Sequence, residues 1–188
     1  TCHRFATACG MSERLRLDLV LNDFVAGAVS SGEITILSDG TPWRPLINVL
    51  DMARAIRWSL NRTDEDGGSF LVVNTGSDSW NYQVKELAFA VKEILPEISV
   101  SINENAEPDK RSYRVSFEKF AALAPNHQPQ HDLSRSVQDL VDGLRAIDFN
   151  DAEFRKSPLM RLNVVRALLA GGDVDNLLRV VSPASLVK

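Results

Sequence analysis

Apolar residues at Leu19, Val20, Phe24, Val25 and Ala28 recur at helical spacing and predict a helix over 17–29, closed by Ser30-Ser31-Gly32. Before it, residues 3–8 read as a short strand ending at Gly10, and after it 34–37 reads as a second, turned by Ser38-Asp39-Gly40. A brief extended piece at 45–49 leads to Asp51, a candidate N-cap for a helix with Met52, Ala55, Ile56 and Leu60 on one face. A polar loop at 63–68 precedes a buried-type strand over 69–75. The next helix spans 84–95, with Leu87, Ala88, Val91 and Ile94 inward and Pro96 as its stop. Residues 98–102 alternate as a strand does, and 113–115 predicts another. A short helix over 117–123 and a loop over 124–132 follow, then a helix marked by Val137, Leu140, Val141, Leu144 and Ile147. Two further helices are predicted at about 158–170 and 174–181. Strands alternating with helices give an α/β class, and the pattern contains no internal repeat.

Composition narrows the choice of function. The chain has 188 residues, 44% apolar and 24% charged, with a formal net charge of −4. That balance suits a soluble globular protein and argues against a general nucleic-acid or membrane-surface binder. No apolar run approaches the length of a bilayer span. Cys2 and Cys9 fall on one predicted strand and would lie about 23 Å apart, so they read as free thiols in a reducing cytoplasm rather than as a disulfide. No Cys/His/Asp spacing resembles a metal site. The opening Thr-Cys-His-Arg-Phe leads straight into β-type residues, as though the sequence were entered part-way through.

Six pieces in order carry a resemblance. HRFATACG at 3–10 is an arginine-containing strand ending in Gly, and LDLVLNDFV at 17–25 is a helix carrying Asn. ITILSDGTPWRPLINVLDMARAI then gives a strand, a Gly turn and an Arg before a V-x-D-x-A-like run. FLVVNTG, Asn81 and DKRSY at 109–113 complete the series. This order resembles the C-terminal half of an NAD-dependent epimerase/dehydratase, an extended short-chain dehydrogenase/reductase. The Ser12-Glu13-Arg14-Leu15-Arg16-Leu17-Asp18 segment is similar to one branch of it. The resemblance implies the last Rossmann-sheet strands plus a small mixed α/β substrate domain. It covers residues 1–150, leaving 151–188 as a helical C-terminal extension.

It also implies a set of substrate contacts. In the family the arginine at the position of Arg44 grips the diphosphate of a sugar nucleotide, and a guanidinium suits that task as a planar fork of donors. The bland alternative is an arginine stacked on Trp43. Arg111 is the second phosphate candidate. Many family members carry that arginine a few residues earlier, ahead of a Gly where this chain has Ala106, and an ion pair with Asp109 or Glu107 is the alternative. Asn81 matches the residue at the sugar-nucleotide end, or serves as a helix cap. Arg14 and Asn22 belong to the segment lining the substrate cleft, unless Asn22 simply faces solvent; Arg16 and Asp18 suggest a local charge pair. Asn48 stands where the family usually has His.

Two family hallmarks are not found in these residues: a glycine-rich dinucleotide turn and Tyr-x-x-x-Lys. Tyr82-Gln-Val-Lys85 is one residue short and reads as a decoy. The expected function is therefore the nucleotide-sugar-binding part of a sugar epimerase or dehydratase, inactive by itself. NAD or NADP would be carried by an N-terminal dinucleotide-binding half, and relatives often form homodimers. Without that half, the strands near His3 and Phe70 are expected to expose edges open to swapping or intermolecular pairing. The competing readings are a non-catalytic binding or regulatory module of the same fold and a reductase acting on a non-sugar substrate.

Overall fold

A computed structural model describes residues 1–106 and 111–181. Among the described residues, seven strands form three small sheets. β1 (Cys2–Phe5) pairs with β5 (Val72–Thr75), and β3 (Glu33–Ile36) with β7 (Ser99–Ile102), both in parallel. β4 (Trp43–Asn48) lies between β2 (Thr7–Cys9), parallel to it, and β6 (Asn81–Gln83), antiparallel. The α/β class expected from the pattern holds. The predicted strand over 3–8, however, is two strands in different sheets. β5 runs out at Thr75, and the Phe117 ring packs so closely over Gly76 that a Cβ there would sit 2.8 Å from it. The strand is interrupted at Ala6, and its second half takes β4 as a new partner.

Three helices make the main core: α1 (Val20–Ser31), α3 (Val84–Ile94) and α5 (Leu133–Ala146). Their apolar stripes meet at Leu21, Val25, Leu87, Val91, Leu140 and Leu144, all fully buried. A smaller cluster joins α2 (Val49–Asn61) and α4 (Glu118–Leu123) to β5 through Ala55, Trp58, Val73 and Phe120. The last helix among the described residues, α6 (Arg161–Ala170), has no fully buried residue.

Several expectations are corrected. Asp51 does not cap α2. Asn48 does, its Oδ1 accepting the Leu50 N–H at 2.9 Å, while Asp51 is buried within the first turn. Asn81 does not cap α3 either; Gln83 fills that place, its N–H donating to Glu86 Oε2 in a capping box. Residues 113–115 form no strand. They run alongside β4 and β6, with the Tyr113 N–H donating to the Trp43 carbonyl and the Val115 N–H to Asn81 Oδ1. Residues 174–181 form no helix. The Asp175 carboxylate accepts the N–H groups of Leu177 and Arg179 and pairs with the Arg179 guanidinium, a local alternative to helical hydrogen bonding. Leu178 there has a φ of 59°.

Both cysteines are free, Cys2 exposed and Cys9 buried. Burial, and secondarily the Asp51 carboxylate, pushes the Cys9 thiol up to about 12. Since the thiolate is the reactive form, a thiol reagent at neutral pH should modify one cysteine in the folded chain and two after denaturation. Titration of released chromophore checks this, and rapid labelling of Cys9 in the folded chain would contradict it.

Candidate functional site

The N-terminal turn of α1, the end of β3 and the segment at 111–113 surround an open cleft of about 560 Å³. Arg44 and Arg111 both line it, together with Asp18, Asp23, Phe24 and Tyr113. The two arginines lie far apart in sequence. They meet because the Trp43 N–H donates to Ser112 Oγ at 3.0 Å, tying residue 112 to the start of β4. Arg44 Nη1 then donates to the carbonyls of Trp43 and Arg111. The face of Trp43 is taken by Arg114, whose guanidinium carbon stands 4.7 Å from the ring centre. Arg44 is thus held by carbonyls beside the cleft, and the ion-pair alternative for Arg111 involves Glu107 and Asp109, which lie outside the described residues.

The other candidate residues stand elsewhere. Asn22 is buried, and its amide is engaged by its own chain: Oδ1 accepts the Gly10 N–H and Nδ2 donates to the Arg16 carbonyl, each at 3.0 Å. Gly10 has a φ of 106°, so this clasp fixes a left-handed turn that a side chain would strain. Asn81 is used similarly, Nδ2 donating to the carbonyls of Asp78 and Val115. Arg14 faces a second cleft of about 590 Å³, between residues 11–15 and the C-terminal segment, walled by Met11, Leu15, Phe149 and Val165. The structure therefore brings Arg44 and Arg111 to one cleft, which Arg14, Asn22 and Asn81 do not line, although Asn81 lies opposite Pro45 on the neighbouring strand.

Tyr82 and Lys85 do not share a helix face. Tyr82 is on β6 opposite Arg44, and Lys85 is in α3. The phenol packs edge-on against Trp80, and burial, ahead of Asp132, Glu86 and Cys9, raises its pKa. Nothing here favours a phenolate base.

Two ion pairs complete the cleft: Arg16–Asp18, the local charge pair expected from the sequence, and Asp23–Arg155, which spans 132 positions. Arg16 holds Asp18 through Nε and Nη2 at 3.0 and 2.5 Å, and this pairing keeps the Asp18 carboxyl below its usual range. Arg155 holds Asp23 through two bonds of 2.8 Å. Among the described residues no group of three His, Cys, Asp or Glu side chains could hold a metal, and no helix is long and apolar enough to cross a membrane.

A dinucleotide needs a glycine turn whose amides are free to meet its pyrophosphate. Gly10 and Gly76 both follow parallel strands, but the Gly10 N–H is taken by Asn22, Phe117 covers Gly76, and neither opens an α-helix. The described residues do not fit a bound dinucleotide.

Comparison with known proteins agrees with this partial architecture. Residues 1–76 match the family model described as NAD dependent epimerase/dehydratase family. A solved NAD dependent NDP-hexosamine 5,6-dehydratase, TunA, of tunicamycin biosynthesis superposes with a TM-score of 0.65 at 16% identity, over 80% of this chain and 46% of its own. UDP-glucuronic acid 4-epimerase from Bacillus cereus, solved with UDP-glucuronic acid and NAD, gives 0.62 at 19% identity, over 77% and 45%. L-threonine dehydrogenase from Phytophthora infestans gives 0.63 at 18% identity, over 77% and 48%. The chain thus spans about half the length of the structures it resembles. Residues 1–76 match the NAD dependent epimerase/dehydratase family model, and the α/β fold of the chain corresponds to about half of the solved structures it resembles.

Proposed function

We propose that the chain is the nucleotide-sugar-binding part of an NAD(P)-dependent sugar epimerase or dehydratase, with Arg44 and Arg111 receiving the diphosphate. The observation that carries this reading is their convergence on one cleft from remote parts of the sequence. Guanidinium donors pair well with phosphate oxygens, and a grip on that remote group orients the sugar for chemistry elsewhere. NAD or NADP would be held by a separate dinucleotide-binding half, against which the β1–β5 pair is suited to continue as a larger parallel sheet. Sugar oxidation, then epimerisation or loss of water, would require that half. On this reading Asn22 and Asn81 hold the backbone at Gly10 and Val115, and Arg14, which lines the second cleft, makes no contact with the diphosphate.

Calorimetric titration with UDP-, GDP- and dTDP-sugars tests this. One of them should bind saturably, and Arg44→Ala or Arg111→Ala should each weaken binding about 10- to 100-fold, the range for a lost charge-assisted hydrogen bond. Absence of binding to all three overturns the reading. A second reading, a dehydrogenase part acting on a non-sugar substrate, draws on the likeness to L-threonine dehydrogenase. Saturable heat with L-threonine and none with nucleotide sugars would favour it.

A further inference from the structure

We infer that Arg155 is a positioning residue that masks the charge of Asp23 and so makes the Arg44–Arg111 cleft receptive to an anion. The inference rests on the diphosphate reading above and names a residue that reading does not use. Two carboxylates, Asp18 and Asp23, line the same cleft as the two arginines. Left bare, they would offset the attraction that Arg44 and Arg111 exert on a phosphate. Each is instead held by a bidentate guanidinium fork. Arg16 serves Asp18 from two residues away. Arg155 reaches Asp23 from the C-terminal segment, with both bonds at 2.8 Å.

The Asp23 pair is built, not incidental. The Arg155 guanidinium also lies over the Phe154 ring, its carbon 4.7 Å from the ring centre, and Phe154 is fully buried in the main core. The side chain of Asp23 is 20% exposed and that of Arg155 48%, and Asp23 lines the cleft whereas Arg155 is not among its lining residues. Asp23 lies in the first turn of α1. A carboxylate there is favourable for the helix, which gives a reason to retain the acid and neutralise it rather than lose it. Residue 155 lies beyond the segment that matches the family, so the C-terminal segment would influence which ligands the cleft accepts.

The test is calorimetry on the chain and on Arg155→Ala, Asp23→Asn and the double variant. The probes are UDP, GDP and dTDP, each compared with its uncharged nucleoside. For the diphosphate that binds, Arg155→Ala should weaken affinity about tenfold, and the corresponding nucleoside should change by less than about twofold. The diphosphate loss should shrink at high salt, as a screened charge effect does. The double variant should recover most of the lost affinity. It lacks the ion pair as well, so recovery reports removal of the carboxylate's charge and not restored packing. Equal losses for diphosphate and nucleoside, no loss for the diphosphate, or no recovery in the double variant would each overturn the inference and leave the diphosphate reading standing. If the unsubstituted chain bound none of the three diphosphates, the reading itself would fall, and this inference with it.

Discussion

Replacing Phe154 by alanine is expected to destabilise the fold by about 3–5 kcal/mol, the usual cost of emptying an aromatic site in a packed core. Phe154 is fully buried among α1, α3 and α5 residues, although it sits on a single turn of 3₁₀ helix in the C-terminal segment. Its ring meets Phe149 edge-on at 6.0 Å. The substitution should also release Arg155, whose guanidinium lies on that ring. Urea unfolding followed by circular dichroism gives the magnitude. A midpoint shift equivalent to less than about 1 kcal/mol would mean that residues 151–157 dock only loosely.

The second large effect is at Asp51. Its side chain is fully buried and accepts three contacts from one loop: the N–H groups of Gln130 and His131 at 2.9 and 3.1 Å, and His131 Nδ1 at 3.0 Å. Arg54 Nε stands 3.9 Å away on the next turn of α2. Asp51→Ala leaves these donors without an acceptor and should cost about 3–5 kcal/mol. Asp51→Asn keeps one acceptor oxygen but turns an NH2 group toward a donor, and should lose about half as much. Thermal melts of the two variants give the ordering. Equal stability of Asp51→Ala and the parent chain would show that the loop at 124–132 is held by other contacts, such as Gln128 Nε2 donating to the carbonyls of Phe120 and Ala124.

The helices of the core were legible because burial imposes a 3.6-residue period, as at Leu87, Val91 and their neighbours. Strand pairing was not. In a parallel pair the partners are remote, and nothing in Cys2–Phe5 names Val72–Thr75 as its neighbour. Asp51 reads locally as a helix cap, since the loop it clasps lies some eighty positions away. The stretch at 174–181 has a helical apolar rhythm, yet one aspartate captures the backbone there. At the site, Arg44 and Arg111 could be singled out from the order of motifs. Asp23 and Arg155 could not, because a pair spanning 132 positions leaves no mark in local spacing. The amides of Asn22 and Asn81 were singled out for ligand contact, and both are occupied by the chain's own backbone.

The sheet connections also bear on how quickly this chain can fold. β1 must find β5, β2 must find β4, and β3 must find β7, each in parallel and each across a long intervening stretch. The antiparallel pair, β4 with β6, is no hairpin, since α2 and β5 lie between its strands. Among the described residues no two of these strands close through a tight turn, and the local antiparallel bridge of Val174 with Val180 joins isolated residues only. Loop-closure entropy must be met before any ladder forms, which places the sheets late and the helices early. A nascent chain of this topology spends its early life as helices with unpaired strands, the state in which such sequences are most prone to associate with one another.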